Sequence, residues 1–167
     1  MRPPPAHGLC SVTMRLWASL YGAIWVVFLE FLLAMIPFGQ PVLIYLHAGL
    51  GFVILGIAYY NFSALRQTTV PGRVKRIASA TFYLAILMVI LGPLLLLNVG
   101  TGWPVLDGIT VWNGILFIHV VNAFAIITQM AATAIAYDMW EEKEFLEETR
   151  PGEIPPNPAQ ARSRPSS

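Results

Sequence analysis

The sequence predicts an all-α fold: an integral membrane four-helix bundle with the N and C termini cytoplasmic. Three observations predict it. Of the 167 residues, 56% are hydrophobic and 11% charged, whereas a soluble domain carries about a quarter charged residues. Four apolar runs, about 16–38, 42–65, 77–99 and 111–137, stand between turn or charge signals. Each exceeds the roughly 20 residues that a helix needs to cross about 30 Å of hydrocarbon. The third observation is where the cations lie. All ten Lys and Arg residues fall in the N-terminal segment, the 66–76 connection or the C-terminal tail.

Composition excludes several alternatives. A soluble four-helix bundle needs a charged outer face at helical spacing, and these runs have almost none. A net charge of +1 gives no nucleic-acid signature, and the single cysteine, Cys10, excludes an intrachain disulfide framework. No apolar run precedes Cys10 as a lipoprotein signal requires, so it reads as an inert thiol. The first apolar run is too long for a cleaved signal peptide and lacks a small-residue cleavage site.

Residues 1–14 are Pro-rich and polar, which predicts a disordered segment with His7 solvated within it. Met14, immediately before Arg15 and the first span, is an alternative start to Met1. The transmembrane domain is expected over 15–137. Its 66–76 connection, RQTTVPGRVKR, holds four cations, while the connections near 39–41 and 100–110 hold none. The positive-inside rule therefore places both termini in the cytoplasm. The third run carries Gly92-Pro93, where proline frees a backbone carbonyl and neighbouring helices must accommodate the break. Trp103 and Trp112 sit at the interfacial level that amphipathic rings favour. Residues 138–150, beginning DMWEEKEFLEE, read as a helical extension whose acidic run is a solvated face, and 151–167 as a disordered tail. No strand signature, internal repeat or phosphate-cradling glycine loop is expected.

The candidate site comes from rare ionisable groups inside the spans. An ionisable group in a bilayer is costly and is a functional-site hypothesis once a partner is named. Glu30 is the sole formal charge in the four runs, and His47 and His119 lie in the second and fourth. Counted from the outer ends at 1.5 Å per residue, His47 lies roughly 9 Å deep, His119 and Glu30 roughly 12 Å, and Gly92 about 10 Å. The four share one layer of the outer leaflet. Two histidines on facing helices suit an axially ligated haem b, because axial ligation needs one nitrogen from each side of a flat ring. Gly51, one turn after His47 on the same face, and Gly92 would provide room for the macrocycle.

Two other readings of these residues stay open. Histidines can hydrogen-bond across a bundle while glycines simply mediate packing. His47, His119 and Glu30 could also form a two-histidine, one-carboxylate metal set, provided Glu30 faces inward. Glu30 itself reads either as a proton carrier or hydrogen-bond partner to a ligand histidine, or as a neutral acid holding helices together. Asn61, Asn122 and Gln129 read as interhelical hydrogen-bonding residues.

Histidines on the second and fourth helices resemble the arrangement in the respiratory cytochrome b family. That family stacks two haems with two histidines per helix, thirteen or fourteen residues apart. The corresponding positions here are Tyr60 and Asn61, and Ala132 and Thr133, so the pattern supports one haem near the outer face. The stretch LGPLLLLNVGTGWPVLDGITVWNGILFIHVVNAFA also resembles the four-helix halves of the haem A synthase family, through Gly92, the Thr101-Gly102 turn before Pro104, and His119. That resemblance covers about half of the chain and implies a haem-binding bundle with His47 and His119 as ligands. It does not imply catalysis. The catalytic half in that family has a glutamate three residues before the helix-two histidine, where this chain has Ile44.

The leading functional expectation is a mono-haem b-type electron-transfer subunit with bis-histidine ligation by His47 and His119, in the membrane of a prokaryote. Its expected partners are membrane lipid and a respiratory-complex subunit or quinol, with a homodimer as an open arrangement. A cofactor-free anchor or assembly subunit is the alternative. A further one is a haem- or metal-dependent oxidoreductase of haem A synthase-like type using Glu30 as acid or base. No Ser/His/Asp or Cys/His constellation supports hydrolysis.

Overall fold

The computed structural model describes residues 7–34, 36 and 41–148, with side chains within 15–34, 36 and 41–146. Four helices are present: α1 His7–Ala34, α2 Pro41–Arg66, α3 Gly72–Leu96 and α4 Val111–Glu148. All four are long and apolar enough to cross a membrane. The chain is an all-α, multi-pass integral membrane protein, as its hydropathy predicts.

The helices pack in sequence order as a closed ring, α1 against α2, α2 against α3, α3 against α4 and α4 back against α1. His47 and His119 therefore belong to diagonal helices. Two packed clusters hold the bundle together. At the end carrying the basic connection, Leu16 and Leu20 of α1 meet Leu65, Val70, Val74, Ala78, Ala134 and Tyr137. At mid-height, Ala23 and Val27 meet Ile54, Ala58, Ala85, Ile126 and Met130. Small residues in both clusters let the helix backbones approach, which is how membrane helices gain dispersion contact without a hydrophobic drive. Large side chains such as Trp25, Phe52, Tyr83 and Phe117 face outward and are more than half exposed. Such a surface suits lipid and would be an aggregation liability in water.

Interhelical polar contacts lie between these layers and just beyond the second. The Ser19 hydroxyl donates to Asn61 Oδ1 at 2.7 Å, joining α1 to α2. Thr81 Oγ1 lies 3.2 Å from Gln129 Oε1, joining α3 to α4. Asn122 Nδ2 donates to the Leu84 carbonyl at 2.9 Å. The three amides thus serve the interhelical role their side chains suggest.

Boundaries differ from the sequence reading in four places. Helix α1 begins at His7, so residues 7–14, expected to be disordered, add two turns to it. It ends at Ala34 rather than near 38, because Pro37 disfavours helical backbone in the residue before it. Helix α3 begins at Gly72 rather than near 77. The basic residues Arg73, Lys75 and Arg76 are good helix formers and Pro71 sets the start. Lys75 Nζ donates to the Thr68 carbonyl at 2.6 Å and to the Arg66 carbonyl at 3.3 Å, a cation at the C-terminus of α2. Helix α4 continues to Glu148, in accord with the predicted extension. The first six residues and the tail expected over 151–167 lie outside the described residues.

The fourth difference is a strand pair. β1 Pro104–Leu106 and β2 Ile109–Thr110 pair antiparallel across Asp107-Gly108. Gly108 has φ +73°, and an Asp-Gly pair flanked by apolar residues is a hairpin signal that the sequence reading passed over. The hairpin leads into α4 through a capping contact. Asn113 Oδ1 accepts from the Thr110 backbone N–H at 2.9 Å and its hydroxyl at 2.8 Å, so the third helical residue reaches back to the cap.

Candidate functional site

The end of the bundle opposite the basic connection is thinly packed, with Leu33 of α1 and Leu91 of α3 as its buried apolar side chains among the described residues. Helix α2 has no buried residue before Ile54, and α4 has none before Asn122. Into this open third project Glu30, His47 and His119. Glu30 Oε1 lies 2.8 Å from His47 Nδ1. The two imidazole rings lie 6.2 Å apart between centroids, with their planes inclined by 48°. The three ionisable groups of the predicted layer converge. Glu30 faces the bundle interior.

The acid–imidazole contact has a chemical consequence. A proton on Nδ1 directed at a carboxylate puts the lone pair of the neutral ring on Nε2. Metal-ligating histidines commonly have this outer carboxylate partner, which fixes the tautomer and raises ligand basicity. The spacing of the rings bears on the same point. Metal–imidazole bonds are about 2 Å long, so two rings in trans on one metal ion have centroids roughly 6 Å apart. A ring contact without any metal also occurs over about 4.5–7 Å. The observed 6.2 Å fits both.

The orphaned polar atoms do more. Nδ1 of His119, Oε2 of Glu30 and Oδ1 of Asn122 are buried without a hydrogen-bond partner among the described residues. Unpaired buried polar atoms are costly, the more so in hydrocarbon. Their clustering at one level of the bundle marks a place suited to an occupant with polar groups. Asn122, one turn beyond His119, closes the floor of this region at 4% exposure, and Phe31 packs on Phe124 beside it with ring centroids 5.4 Å apart.

Gly51 and Gly92 are partly exposed, and a Cβ at either would meet nothing within 4 Å. The same is true of Gly22, Gly49, Gly56 and Gly114, so open space does not distinguish the two predicted positions. The three-ligand metal set does not form: among the described residues no group of three or more His, Cys, Asp or Glu is placed to hold a metal ion. Glu30 is engaged with the imidazole itself. Asn122 is the residue whose place in the site the sequence reading missed. Its i+3 spacing from His119 was the available signal.

Comparisons with protein-family models, with curated proteins and with solved structures give no match to this chain.

Proposed function

We propose that this chain is a haem-binding integral membrane protein, a mono-haem b-type electron-transfer subunit in which His47 and His119 are the axial ligands. One observation carries the reading: two imidazoles from diagonal helices stand 6.2 Å apart in the thinly packed end of the bundle, with Glu30 against Nδ1 of His47 at 2.8 Å. A haem would supply a one-electron couple. The chain's own residues supply the rest. Glu30 orients the His47 ring, and the floor at Asn122 separates the site from the packed mid-bundle. Gly51 and Gly92 are assigned the clearance for the macrocycle. A membrane-embedded quinol, or a subunit of a respiratory complex, is the class of electron donor that a site at this depth could reach.

The test is a reduced-minus-oxidised absorbance spectrum of the detergent-solubilised protein. A six-coordinate b-type signal is expected, and it disappears in His47→Ala and in His119→Ala. Unchanged haem content in either variant removes bis-histidine ligation.

A second reading, a cofactor-free anchor or assembly subunit, is favoured by the long end of α4. Helix α4 runs 38 residues, about 57 Å at 1.5 Å per residue, nearly twice the hydrocarbon thickness. Its final turns expose Met139, Phe145 and Leu146 among acidic residues. Colourless protein that co-purifies with a partner subunit would establish this reading in place of the first.

A further inference from the structure

The lipid-facing seam between α3 and α4 carries a groove of about 440 Å³ near the basic end. It is lined by Arg73, Arg76, Ile77 and Ala80 of α3 and by Thr128, Gln129 and Ala132 of α4. Arg73 and Arg76, three residues apart, share one face of α3 at its first turns. Both are exposed, and neither has a carboxylate or carbonyl partner among the described residues. The neighbouring cations differ. Lys75 is tied to the carbonyls of Thr68 and Arg66, and Arg66 stacks over the Phe62 ring at 5.3 Å.

The groove changes character with depth. Its mouth is cationic. Eight residues from Gly72 to Ala80 correspond to about 12 Å along the helix, so its floor reaches from headgroup level into the hydrocarbon. There the small side chains Ala80 and Ala132 leave the trough. Gln129 uses Oε1 toward Thr81, which leaves its Nε2 donor for an ester or phosphate oxygen. A planar guanidinium pair suits bidentate phosphate contacts, and basic pockets between membrane helices on this side recognise anionic headgroups.

We infer that this groove is a binding site for an anionic phospholipid, its phosphate held by Arg73 and Arg76 and one acyl chain laid along Ile77, Ala80 and Ala132. A soluble anion would use the mouth and ignore the apolar floor. The occupant is the lipid, because cationic mouth and apolar trough are continuous along one seam.

The experiment uses the full chain reconstituted with equimolar phosphatidylglycerol and phosphatidylcholine, extracted in mild detergent and examined by native mass spectrometry. Phosphatidylglycerol is expected to be retained over phosphatidylcholine by about thirtyfold, the scale set by two cations at the membrane surface. The double substitution R73Q/R76Q brings the ratio close to one, while Arg66→Gln leaves it unchanged. Ala132→Phe, which fills the trough with both cations intact, also abolishes retention. Equal retention of the two lipids by the unsubstituted chain overturns the inference, as does an equal loss with Arg66→Gln, which would mean general surface attraction. Thermal stabilisation by inorganic phosphate equal to that by phosphatidylglycerol overturns it as well, in favour of a simple anion site.

Discussion

Glu30 on α1 and His47 on α2 meet at 2.8 Å inside the membrane-spanning part of the bundle. Glu30 lies one turn before the end of α1 at Ala34, and His47 lies in the second turn of α2. The contact sets an acid beside an imidazole, so each offsets part of the other's cost in the bilayer. The third ionisable group, His119, completes the arrangement from the diagonal helix.

Replacing the acid should separate orientation from charge. On the proposed haem ligation, Glu30→Gln keeps a polar group of the same shape beside His47 but removes the negative charge, so haem content should be retained and the midpoint potential should rise. A one-electron couple moves by about 59 mV for each tenfold change in relative stability of its oxidised and reduced forms. Redox titration of the purified variant measures it. An unchanged potential would detach Glu30 from the ligand, and Glu30→Leu should lower haem content by leaving His47 unoriented.

The packed end is sensitive to volume. Ala134 is fully buried against the cluster formed by Leu16, Leu20, Leu65 and Tyr137. Ala134→Leu therefore overpacks it, at a cost of about 1–3 kcal/mol. Its neighbour Ile135 is more than half exposed toward lipid, and Ile135→Leu should fall within about 0.5 kcal/mol of the parent. Denaturant unfolding of the two variants in mixed micelles compares them.

The turn after α3 depends on one glycine. Gly100 has φ +80°, and a Cβ there would stand 2.7 Å from the Val111 Cβ. Gly100→Ala thus combines an unfavourable backbone conformation with a clash and should cost more than about 1 kcal/mol. At Gly108, φ +73°, a Cβ meets nothing within 4 Å, so Gly108→Ala retains only the backbone penalty. Amide exchange across 97–112 should accelerate more in the first variant than in the second.

Orientation can be read directly. In a Cys10→Ser background, a single cysteine at Thr68 should react with an impermeant maleimide only after the membrane is opened. One at Asp107 should react from outside intact cells. The reverse pattern would invert the assignment made from Lys and Arg placement.

Much of this was open to a reader of the chain alone. The four spans follow from apolar length, and the basic connection follows from its cations. That Glu30, His47 and His119 share a layer follows from a fixed rise per residue, although counting from Phe38 set Glu30 deeper than the observed end of α1 at Ala34 does. Other features depended on local competition that periodicity does not resolve. Pro37 and Pro71 reset two helix ends by a turn or more. The hairpin at Asp107-Gly108 is too short for an alternation pattern to form. Asn122 looked like one more interhelical amide until its unpaired Oδ1 placed it at the floor of the site.

Membrane topology was determined by the sequence itself, because hydropathy and charge act residue by residue against the bilayer and need no neighbour. Which way each side chain points was decided only by tertiary structure. Successive residues on a helix are turned by about 100°, so a rotation of one position would swing Glu30 or His119 out to lipid without altering its depth. The packed clusters at the basic end and mid-height fix that rotation for all four helices at once, and with it the meeting of the acid and the two imidazoles.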